Sequence, residues 1–287
     1  MNNKQKIRNI LRHIGLYPHR IHQSRKYGFL NEIIGYLRVQ RVYSEWRYKD
    51  QPRLRMLKDR HKDIERCFII GGGPSLNKMD LTLLRNEVTF GVNGIFLIFG
   101  KMGFKPTYYV VVDNLVCEDR ASIINGLNGM TKLFPLERSN AIKRDPNTIF
   151  MLQEKAKHYP GFSTDISKCI YGGSTVTYTN MQIAYYMGFK NVYLIGMDHN
   201  YVLPSQYEMD RVKNLPSEIT NLEDDHNHFH PDYFGHGFRW HDPDLDKMEA
   251  AYKKAKDIFE ASGRKIYNAT VGGKLEIFQR TDYTTLF

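Results

Sequence analysis

The sequence feature that most constrains the fold is a run of four apolar residues that ends in three glycines, a proline and a serine. The apolar run covers residues 67–70, and Gly71-Gly72-Gly73-Pro74-Ser75 follows it directly. A continuous apolar run bounded by Gly and Pro is typical of a buried parallel strand. Glycines permit a sharp turn and the close approach of a ligand, and the fixed φ of Pro74 suits the first position of a helix. The pattern predicts a strand–loop–helix unit, with its helix over 76–85.

The same turn predicts an anion site. Free N–H groups and the positive end of the predicted helix would point at one place, which suits a phosphate. The turn is not a P-loop, because no Gly-Lys-Ser/Thr follows the glycines. It also departs from the dinucleotide fingerprint, since Leu76 replaces the third glycine and the next predicted strand ends at Asn93 rather than at an acid. A tight turn that binds nothing is the alternative, but open α/β sheets bind ligands at strand carboxyl ends, which favours a ligand site.

Strand-like and helix-like patterns alternate from Arg66 onward. Such alternation predicts an α/β fold with a doubly wound, mainly parallel, Rossmann-like sheet. A polar stretch rich in His and Tyr, residues 199–243, is too long for a connector and predicts a lid. We expect one Rossmann-like domain over 66–287 and a basic amphipathic helical segment over 1–65. The predicted strands are 68–70, 88–92, 108–112, 132–136, 148–152, 191–195 and 265–267, and the predicted helices after 76–85 are 115–125, 174–187 (N-cap Ser174) and 244–261.

The formal net charge of +10 is concentrated in the N-terminal segment. Residues 1–66 hold 17 Lys and Arg against 6 Asp and Glu, whereas residues 67–287 hold 24 against 25. Two helix-period stripes, Ile7-Ile10-Leu11-Ile14 and Leu30-Ile33-Ile34-Leu37, lie among these cations. A basic amphipathic segment can bind an anionic membrane surface, cover its own domain or contact a partner subunit, and the sequence leaves these alternatives open. Because the domain itself is nearly neutral, we expect no nucleic-acid partner.

Cysteine usage and hydropathy predict the compartment. Cys67, Cys117 and Cys169 form no motif and are expected to be reduced, small apolar side chains. No apolar stretch approaches the length of a membrane span, and the basic N-terminus lacks the apolar core of a secretory signal. We therefore expect a cytoplasmic protein, with peripheral binding to the inner face of the cytoplasmic membrane available through residues 1–65. A homo-oligomer is compatible with the sequence.

Polar residues collect where the predicted strands end. A doubly wound sheet brings such strand ends together along one crevice. A second glycine-rich helix start, Gly172-Gly173-Ser174-Thr175, would add another cradle for an anion or a hydroxyl. Together these groups predict a polar cleft that suits a nucleotide better than an apolar ligand, although each has an alternative role as a turn former or cap. The strand-end residues are Gly71 to Ser75, Asn93, Asp113, Asn114 and Asp198.

The histidine-rich stretch 224–236 permits two interpretations. Alternate histidines beside carboxylates could hold a metal, but no HExxH, CxxC or separated third ligand completes a site, so we predict no metal site. A histidine in a flexible loop also suits a general base. His236 lies between Gly235 and Gly237 and is our candidate, with an ordinary surface histidine as the alternative. Neither a Gly-x-Ser-x-Gly elbow nor a Cys/His pair points to hydrolytic nucleophile chemistry.

A series of short motifs resembles a known group of enzymes. The order of the motifs is similar to that of the bacterial lipooligosaccharide sialyltransferases, and also to the superfamily named for the archaeal 6-hydroxymethylpterin diphosphokinase. The resemblance covers about 66–270 and implies a nucleotide-binding catalytic domain with a lid. The motifs are Ile69-Ile70-Gly71-Gly72-Gly73-Pro74-Ser75-Leu76, Gly91-Val92-Asn93, Asp113-Asn114, Gly172-Gly173-Ser174-Thr175, Leu194-Ile195-Gly196-Met197-Asp198 and Phe234-Gly235-His236.

The sialyltransferase resemblance implies a role for each matching residue. His236 would deprotonate the acceptor hydroxyl, and Tyr201 and Tyr207 are the nearest counterparts of two lid tyrosines that hold the leaving phosphate. Asn200 stands at the position of the first of those tyrosines, and Asp113 stands where the sialyltransferases have no acid. Contacts with the donor would come from Gly72, Gly73, Pro74, Ser75, Asn93, Asn114, Gly173, Ser174 and Thr175, with Asp113, Asp198, Asn200, Asn268 and Thr270 completing the donor site.

Three functions follow as expectations. The first is a glycosyltransferase that takes a sugar from a nucleotide-linked donor, such as a CMP-linked one, and passes it to a saccharide or glycolipid acceptor without a required cofactor. The second is a Mg²⁺/ATP-dependent diphosphokinase of the 6-hydroxymethylpterin type, with Asp113 and Asp198 holding the metal. The third is a non-catalytic module of polysaccharide assembly.

Overall fold

The computed structural model describes residues 28–210 and 217–287. Strands and helical segments alternate from Arg66 to Met151, and helices also precede the strands that begin at Asn191 and Lys265. The strands are β1 (Arg66–Ile70), β2 (Thr89–Val92), β3 (Tyr108–Val110), β4 (Thr131–Pro135), β5 (Thr148–Met151), β6 (Gln153–Glu154), β7 (Ile170–Tyr171), β8 (Asn191–Ile195), β9 (Tyr207–Asp210), β10 (Glu218–Asn221), β11 (Arg239–His241), β12 (Lys265–Asn268) and β13 (Gln279–Arg280). The α-helices are α1 (Gly28–Lys49), α2 (Gln51–Arg55), α3 (Phe99–Met102), α4 (Asn114–Asp119), α5 (Ala121–Gly126), α6 (Val176–Tyr186) and α7 (Leu245–Ala261).

Eight parallel strands form the central sheet, in the order β13-β12-β8-β1-β2-β3-β4-β5. Strand β1 lies in the middle, and its apolar residues 67–70 are fully buried, as a strand covered on both faces requires. The chain builds the sheet outward from β1 to β5 and then returns to place β8 on the other side of β1. This confirms the predicted doubly wound α/β fold. The strand order therefore reverses between β1 and β8, where open sheets bind their ligands.

Two predicted helices are interrupted. The helix expected over 76–85 is replaced by two 3₁₀ segments, Pro74–Lys78 and Leu81–Asn86, separated by extended backbone at Met79. The side chain of Asp80 accepts a hydrogen bond from the Thr82 N–H and begins a new turn there, which competes with a continuous helix. Pro74 does occupy the first turn of its segment, as predicted.

The helix expected over 115–125 is divided into α4 and α5 at Arg120, whose backbone is not helical (φ −111°, ψ 13°). The Arg120 guanidinium donates to the carbonyls of Asp232 and Tyr233 and lies 3.5 Å from the Phe238 ring centroid. At the start of α6 the N-cap is Thr175 rather than Ser174, because Thr175 accepts from the Thr177 N–H while Ser174 has a positive φ of 58°.

The 199–243 segment contains a small antiparallel sheet in the order β11-β10-β9. Trp240 is buried in it and donates from its indole nitrogen to Asn221. Arg239 of β11 bonds Asp119 at the end of α4, so the segment is attached to the main sheet through its α4–α5 layer. Residues 211–216 lie outside the described residues.

The described part of the basic N-terminal segment packs on the edge of the main sheet. Trp46 is 1% exposed and donates to the carbonyl of Phe150 in β5 at 2.9 Å. Asp50, fully buried, accepts from the Phe150 N–H at 3.1 Å and pairs with Arg144. This favours the domain-covering alternative for the end of the segment, whereas the stripe at 7–14 lies outside the described residues. Where residues 28–210 and 217–287 are concerned, no helix has both the length and the apolar character needed to cross a membrane.

Candidate functional site

Two adjoining cavities lie at the carboxyl edge of the main sheet. The smaller, of about 80 Å³, is at the β1/β8 strand-order reversal, and the larger, of about 730 Å³, extends past the ends of β2, β3 and β5. The larger volume is in the range of small-molecule sites. The two meet at six residues that line both: Asn93, Thr175, Val176, Tyr201, His228 and Met248.

The glycine turn after β1 binds a carboxylate of its own chain. The Ser75 N–H and hydroxyl donate to the two oxygens of Asp198, at 3.1 and 2.6 Å, and the Gly73 N–H donates to the carbonyl of Gly196 at 2.8 Å. A β-carbon at Gly73 would overlap the Asp198 carboxylate, which explains the glycine. The prediction that this turn presents free N–H groups is therefore wrong for Gly73 and Ser75, because Asp198 occupies the position expected for an anionic ligand.

A histidine–carboxylate pair lies where the two cavities meet. The Nδ1 atom of His228 is 2.7 Å from Oδ2 of Asp225, and the two side chains are 11% and 2% exposed. Asp225 also accepts from the N–H groups of Asn227 and Phe234, at 2.8 and 2.9 Å, so its position is set by three donors. When Nδ1–H donates to Asp225, Nε2 of a neutral His228 is left as a proton acceptor. This arrangement suits a general base.

Aromatic rings hold His228 in place. The Tyr233 ring is stacked on the imidazole with centroids 4.1 Å apart and planes 2° from parallel. A β-carbon at Gly72 or at Gly94 would collide with this pair, so both glycines permit the 199–243 segment to approach the main sheet. Burial raises the pKa of the Tyr233 phenol, which keeps it neutral beside the imidazole.

Asn93 carries a polar atom that no described residue satisfies. Its Oδ1 is buried without a hydrogen-bond partner, while its carbonyl accepts from the Tyr109 hydroxyl. The residue has a positive φ of 43°, an uncommon conformation for which Asn is suited. Buried polar atoms are nearly always hydrogen-bonded, so this oxygen, in a residue that lines both cavities, is a candidate ligand contact.

A second histidine–carboxylate pair lines the larger cavity. Nδ1 of His241 in β11 is 2.9 Å from Oδ2 of Asp113, which is the N-cap of α4. The hydrogen bond to Asp113 raises the pKa of His241 even though partial burial opposes it. In turn, that bond and the α4 N–H groups keep the pKa of Asp113 below its ordinary value, although burial acts in the opposite direction.

Most of the sequence-predicted site residues do line these cavities. Tyr201 lines both, so the structure brings one of the two predicted tyrosines to the site. The smaller cavity is lined by Gly72, Gly73, Asp198 and Asn200, and the larger by Asp113, Asn114, Gly173, Ser174 and Thr175.

Other predicted residues lie elsewhere. His236 is exposed and lines neither cavity, and Tyr207 of β9 is 36% exposed and also outside them. Pro74 and Ser75 are likewise absent from the lining. The side chains of Asn268 and Thr270 form hydrogen bonds with the main chain instead. Asn268 donates to the Leu275 carbonyl, and the Thr270 hydroxyl accepts from the Met197 N–H.

The alternate histidines of 226–230 do not gather into a metal centre. In the part of the chain that the structure describes, no group of three or more His, Cys, Asp and Glu side chains could hold an ion. Asp113 and Asp198, the metal ligands of the diphosphokinase interpretation, line different cavities and bond His241 and Ser75 respectively. The three cysteines are free thiols, two of them buried.

Sequence reasoning missed both histidine–carboxylate pairs. A local signal existed for the first, since Asp225 and His228 are three residues apart in a stretch already noted for its histidines. For the second no local signal existed, because Asp113 and His241 are separated by 128 residues. Only the packing of β11 against α4 brings that pair together.

Comparison with known proteins gives a family and a structural similarity. No curated protein matches the chain. A solved MAf glycosyltransferase from Magnetospirillum magneticum AMB-1 is similar at 18% sequence identity and a TM-score of 0.49, over 77% of this chain and 34% of that chain. The present chain thus spans about a third of that protein's length. The family model described as 6-hydroxymethylpterin diphosphokinase MptE-like matches residues 43–203, more than half of the sequence. The chain belongs to the MptE-like family.

Proposed function

We propose that this protein transfers a glycosyl group from a nucleotide-activated donor to a hydroxyl of a saccharide or glycolipid acceptor. The observation that carries the proposal is the buried His228–Asp225 pair at the junction of the two cavities. A base with a fixed tautomer, beside a cavity large enough for a nucleotide, suits deprotonation of a bound alcohol. The order of motifs along the chain, which resembles that of the lipooligosaccharide sialyltransferases, supports the glycosyl donor.

In this mechanism the acceptor hydroxyl donates to Nε2 of His228. As the hydroxyl oxygen bonds to the anomeric carbon of the donor, its proton passes to Nε2 and the bond from that carbon to the nucleotide phosphate breaks. Asp225 stabilises the resulting imidazolium, because its carboxylate faces Nδ1 at 2.7 Å. The Tyr201 phenol lines both cavities and is available to donate to the leaving phosphate.

A second candidate is a diphosphokinase, which the family description favours. The same base would deprotonate an alcohol, and a nucleoside triphosphate would replace the sugar nucleotide. Such enzymes use Mg²⁺ held largely by the substrate phosphates. Asp113 and Asp198 do not form a joint metal site here, so we assign no step to a protein-bound metal.

Membrane binding stays part of the proposal. A glycolipid acceptor lies at the inner face of the cytoplasmic membrane, and the residues proposed to meet it are those of the basic segment 1–65. Leu37, Tyr48 and Met56 in its described part are exposed. A homo-oligomer and a cytoplasmic location are also part of the proposal.

A ligand panel tests the proposed function. Thermal stability of the purified protein is measured with CMP, CDP, UDP, GDP, ADP and ATP, each with Mg²⁺ and with EDTA. A ligand that binds the native state raises the melting temperature, so the nucleotide with the preferred nucleobase should give the largest increase. The matching sugar nucleotides and a nucleoside triphosphate with 6-hydroxymethylpterin are then assayed for transfer. We expect a nucleotide mono- or diphosphate to stabilise the protein without Mg²⁺. Stabilisation by ATP that requires Mg²⁺, with diphosphate transfer, would replace the glycosyltransferase by the diphosphokinase.

A further inference from the structure

The first step concerns where a donor phosphate can bind. The glycine turn at the β1/β8 reversal is the expected place, but its Ser75 N–H and hydroxyl already donate to Asp198. A phosphate brought to this turn would displace or repel that carboxylate. Neither a Lys nor an Arg lines the smaller cavity among the described residues, so nothing there compensates the repulsion. The larger cavity also has carboxylates in its lining, but Lys247 and the Asp113-paired His241 lie there with them, so the anionic part of a ligand is better placed in that cavity.

The second step concerns His241. Oδ1 of Asp113 accepts from the N–H groups of Leu115 and Val116, at 2.7 and 3.4 Å, which leaves Oδ2 for Nδ1 of His241. Because the carboxylate is held as an anion, it favours the doubly protonated imidazole, and the bond raises the pKa of His241. Because Nδ1–H donates to Asp113, the imidazolium has one remaining donor, Nε2–H, which can donate to another acceptor.

The third step concerns the other charges around His241. Glu218 of β10 favours its protonated form, whereas Arg138, beyond β4, opposes it. Asp242, Asp244 and Lys247 also line the cavity, but all three are exposed, and Lys247 pairs with Asp244. His241 is more deeply placed, with its side chain 29% exposed.

We propose that the imidazolium of His241, positioned by Asp113, donates from Nε2–H to a phosphate oxygen of the nucleotide donor in the larger cavity. This rests on the proposed function, since it assigns a subsite for the donor. The neutral groups around the cavity, among them Asn114, Gln153 and Thr179, are suited to hydrogen bonds with a base or sugar. His228 and His241 then have separate tasks: one takes the acceptor proton, and the other holds the leaving phosphate.

The test compares nucleotide and nucleoside binding. Titration calorimetry measures the affinity of the best nucleotide of the panel, its nucleoside and inorganic pyrophosphate for the wild-type protein, His241→Gln and His236→Gln. A hydrogen bond between charged groups contributes enough that we expect His241→Gln to weaken nucleotide and pyrophosphate binding about 10- to 100-fold. Nucleoside affinity should be unchanged, and His236→Gln, in an exposed histidine outside the cavities, should bind all three ligands like the wild type.

The pH dependence of binding provides a second test, because a purely structural effect of a substitution would not reproduce it. Phosphate affinity should fall as pH rises through the pKa of His241, since the charge that binds the phosphate is lost there. Asp113→Asn removes the group that raises this pKa, so the fall should occur at lower pH. The ligand's own titration is common to both proteins, so the difference between the two profiles reports His241. In the wild-type protein, the His241 imidazole resonances should also shift when pyrophosphate is added.

The outcomes separate this inference from the proposed function. If pyrophosphate binding depends on His241 but no glycosyl transfer is found, the phosphate subsite stands and the proposed function fails. If transfer occurs while His241→Gln binds nucleotide as the wild type does, the proposed function stands and the inference fails. Absence of pyrophosphate and nucleotide binding to the wild-type protein also overturns the inference. Melting temperatures of the variants confirm that each is folded.

Discussion

Substitution His228→Gln is expected to lower kcat for transfer by about 10²- to 10⁴-fold, the usual contribution of a general base. Glutamine can still hydrogen-bond Asp225 but cannot accept and release a proton near neutral pH. Since the mutated group acts on the acceptor, the affinity for the donor nucleotide should change little. Steady-state kinetics with the donor found in the panel measure the rate, and calorimetry with the same nucleotide measures the affinity.

The matched control for this experiment is His236→Gln. His236 lies in the same segment, eight residues further on, but is exposed and lines neither cavity. We expect its substitution to leave transfer unchanged. The opposite pattern, with activity lost in the His236 variant and kept in the His228 variant, would reject the base assigned from the geometry and restore the one implied by the sequence resemblance.

Substitution Gly73→Ala is expected to destabilise the protein by about 3 kcal/mol. The added β-carbon would overlap the Asp198 carboxylate and lie 2.8 Å from the Gly196 carbonyl oxygen. Asp198 must then move and lose its two hydrogen bonds to Ser75, each of which, as a bond to a charged group, contributes about 1.5–3 kcal/mol. Urea unfolding followed by circular dichroism measures the free energy of unfolding.

Two further variants show whether Asp198 is the cause. Gly100→Ala is the control, because Gly100 lies in α3 and no atom of the described residues is within 4 Å of an added β-carbon, so a gain of up to about 1 kcal/mol is expected. In an Asp198→Ala background, the cost of Gly73→Ala should fall by at least about 1 kcal/mol. Equal costs in both backgrounds would show that the carboxylate does not require the glycine.

Seven of the eight strands of the main sheet could be predicted because their signals are local, whereas the two-residue strand β13 was not predicted. The apolar runs at 68–70 and 191–195 are strands, and the helix predicted over 244–261 is α7, with Asp244 as its N-cap. One of the two interrupted helices has a local cause, the hydrogen bond from the Thr82 N–H to the Asp80 side chain, and the other does not. Arg120 interrupts a helix where its guanidinium reaches carbonyls of residues more than a hundred positions away.

The residues of the candidate site also fall into those that the sequence predicts and those that it does not. Residues that immediately follow strands, such as Asn93, Asp113 and Asp198, were placed correctly at the carboxyl edge, because a parallel sheet gathers its strand ends regardless of strand order. The predicted general base, His236, does not line the cavities. Its position between two glycines does not determine the direction in which the loop packs. His228 reaches them because Gly72 and Gly94 leave room for the Tyr233 ring beside it.

By itself the sequence determined the α/β fold, the parallel strands and the polar edge at which a ligand can bind, since these follow from hydrophobic periodicity and from turn residues a few positions apart. Only the tertiary structure decided which groups occupy that edge: Asp198 in the glycine turn, Asp225 behind His228 and Asp113 behind His241. The physical reason is that the contacts of Asp198 with Ser75 and of Asp113 with His241 join residues more than a hundred positions apart, which no local pattern encodes. The Asp225–His228 contact joins residues three positions apart, but its geometry is held by the Phe234 N–H and by the stacked Tyr233 ring.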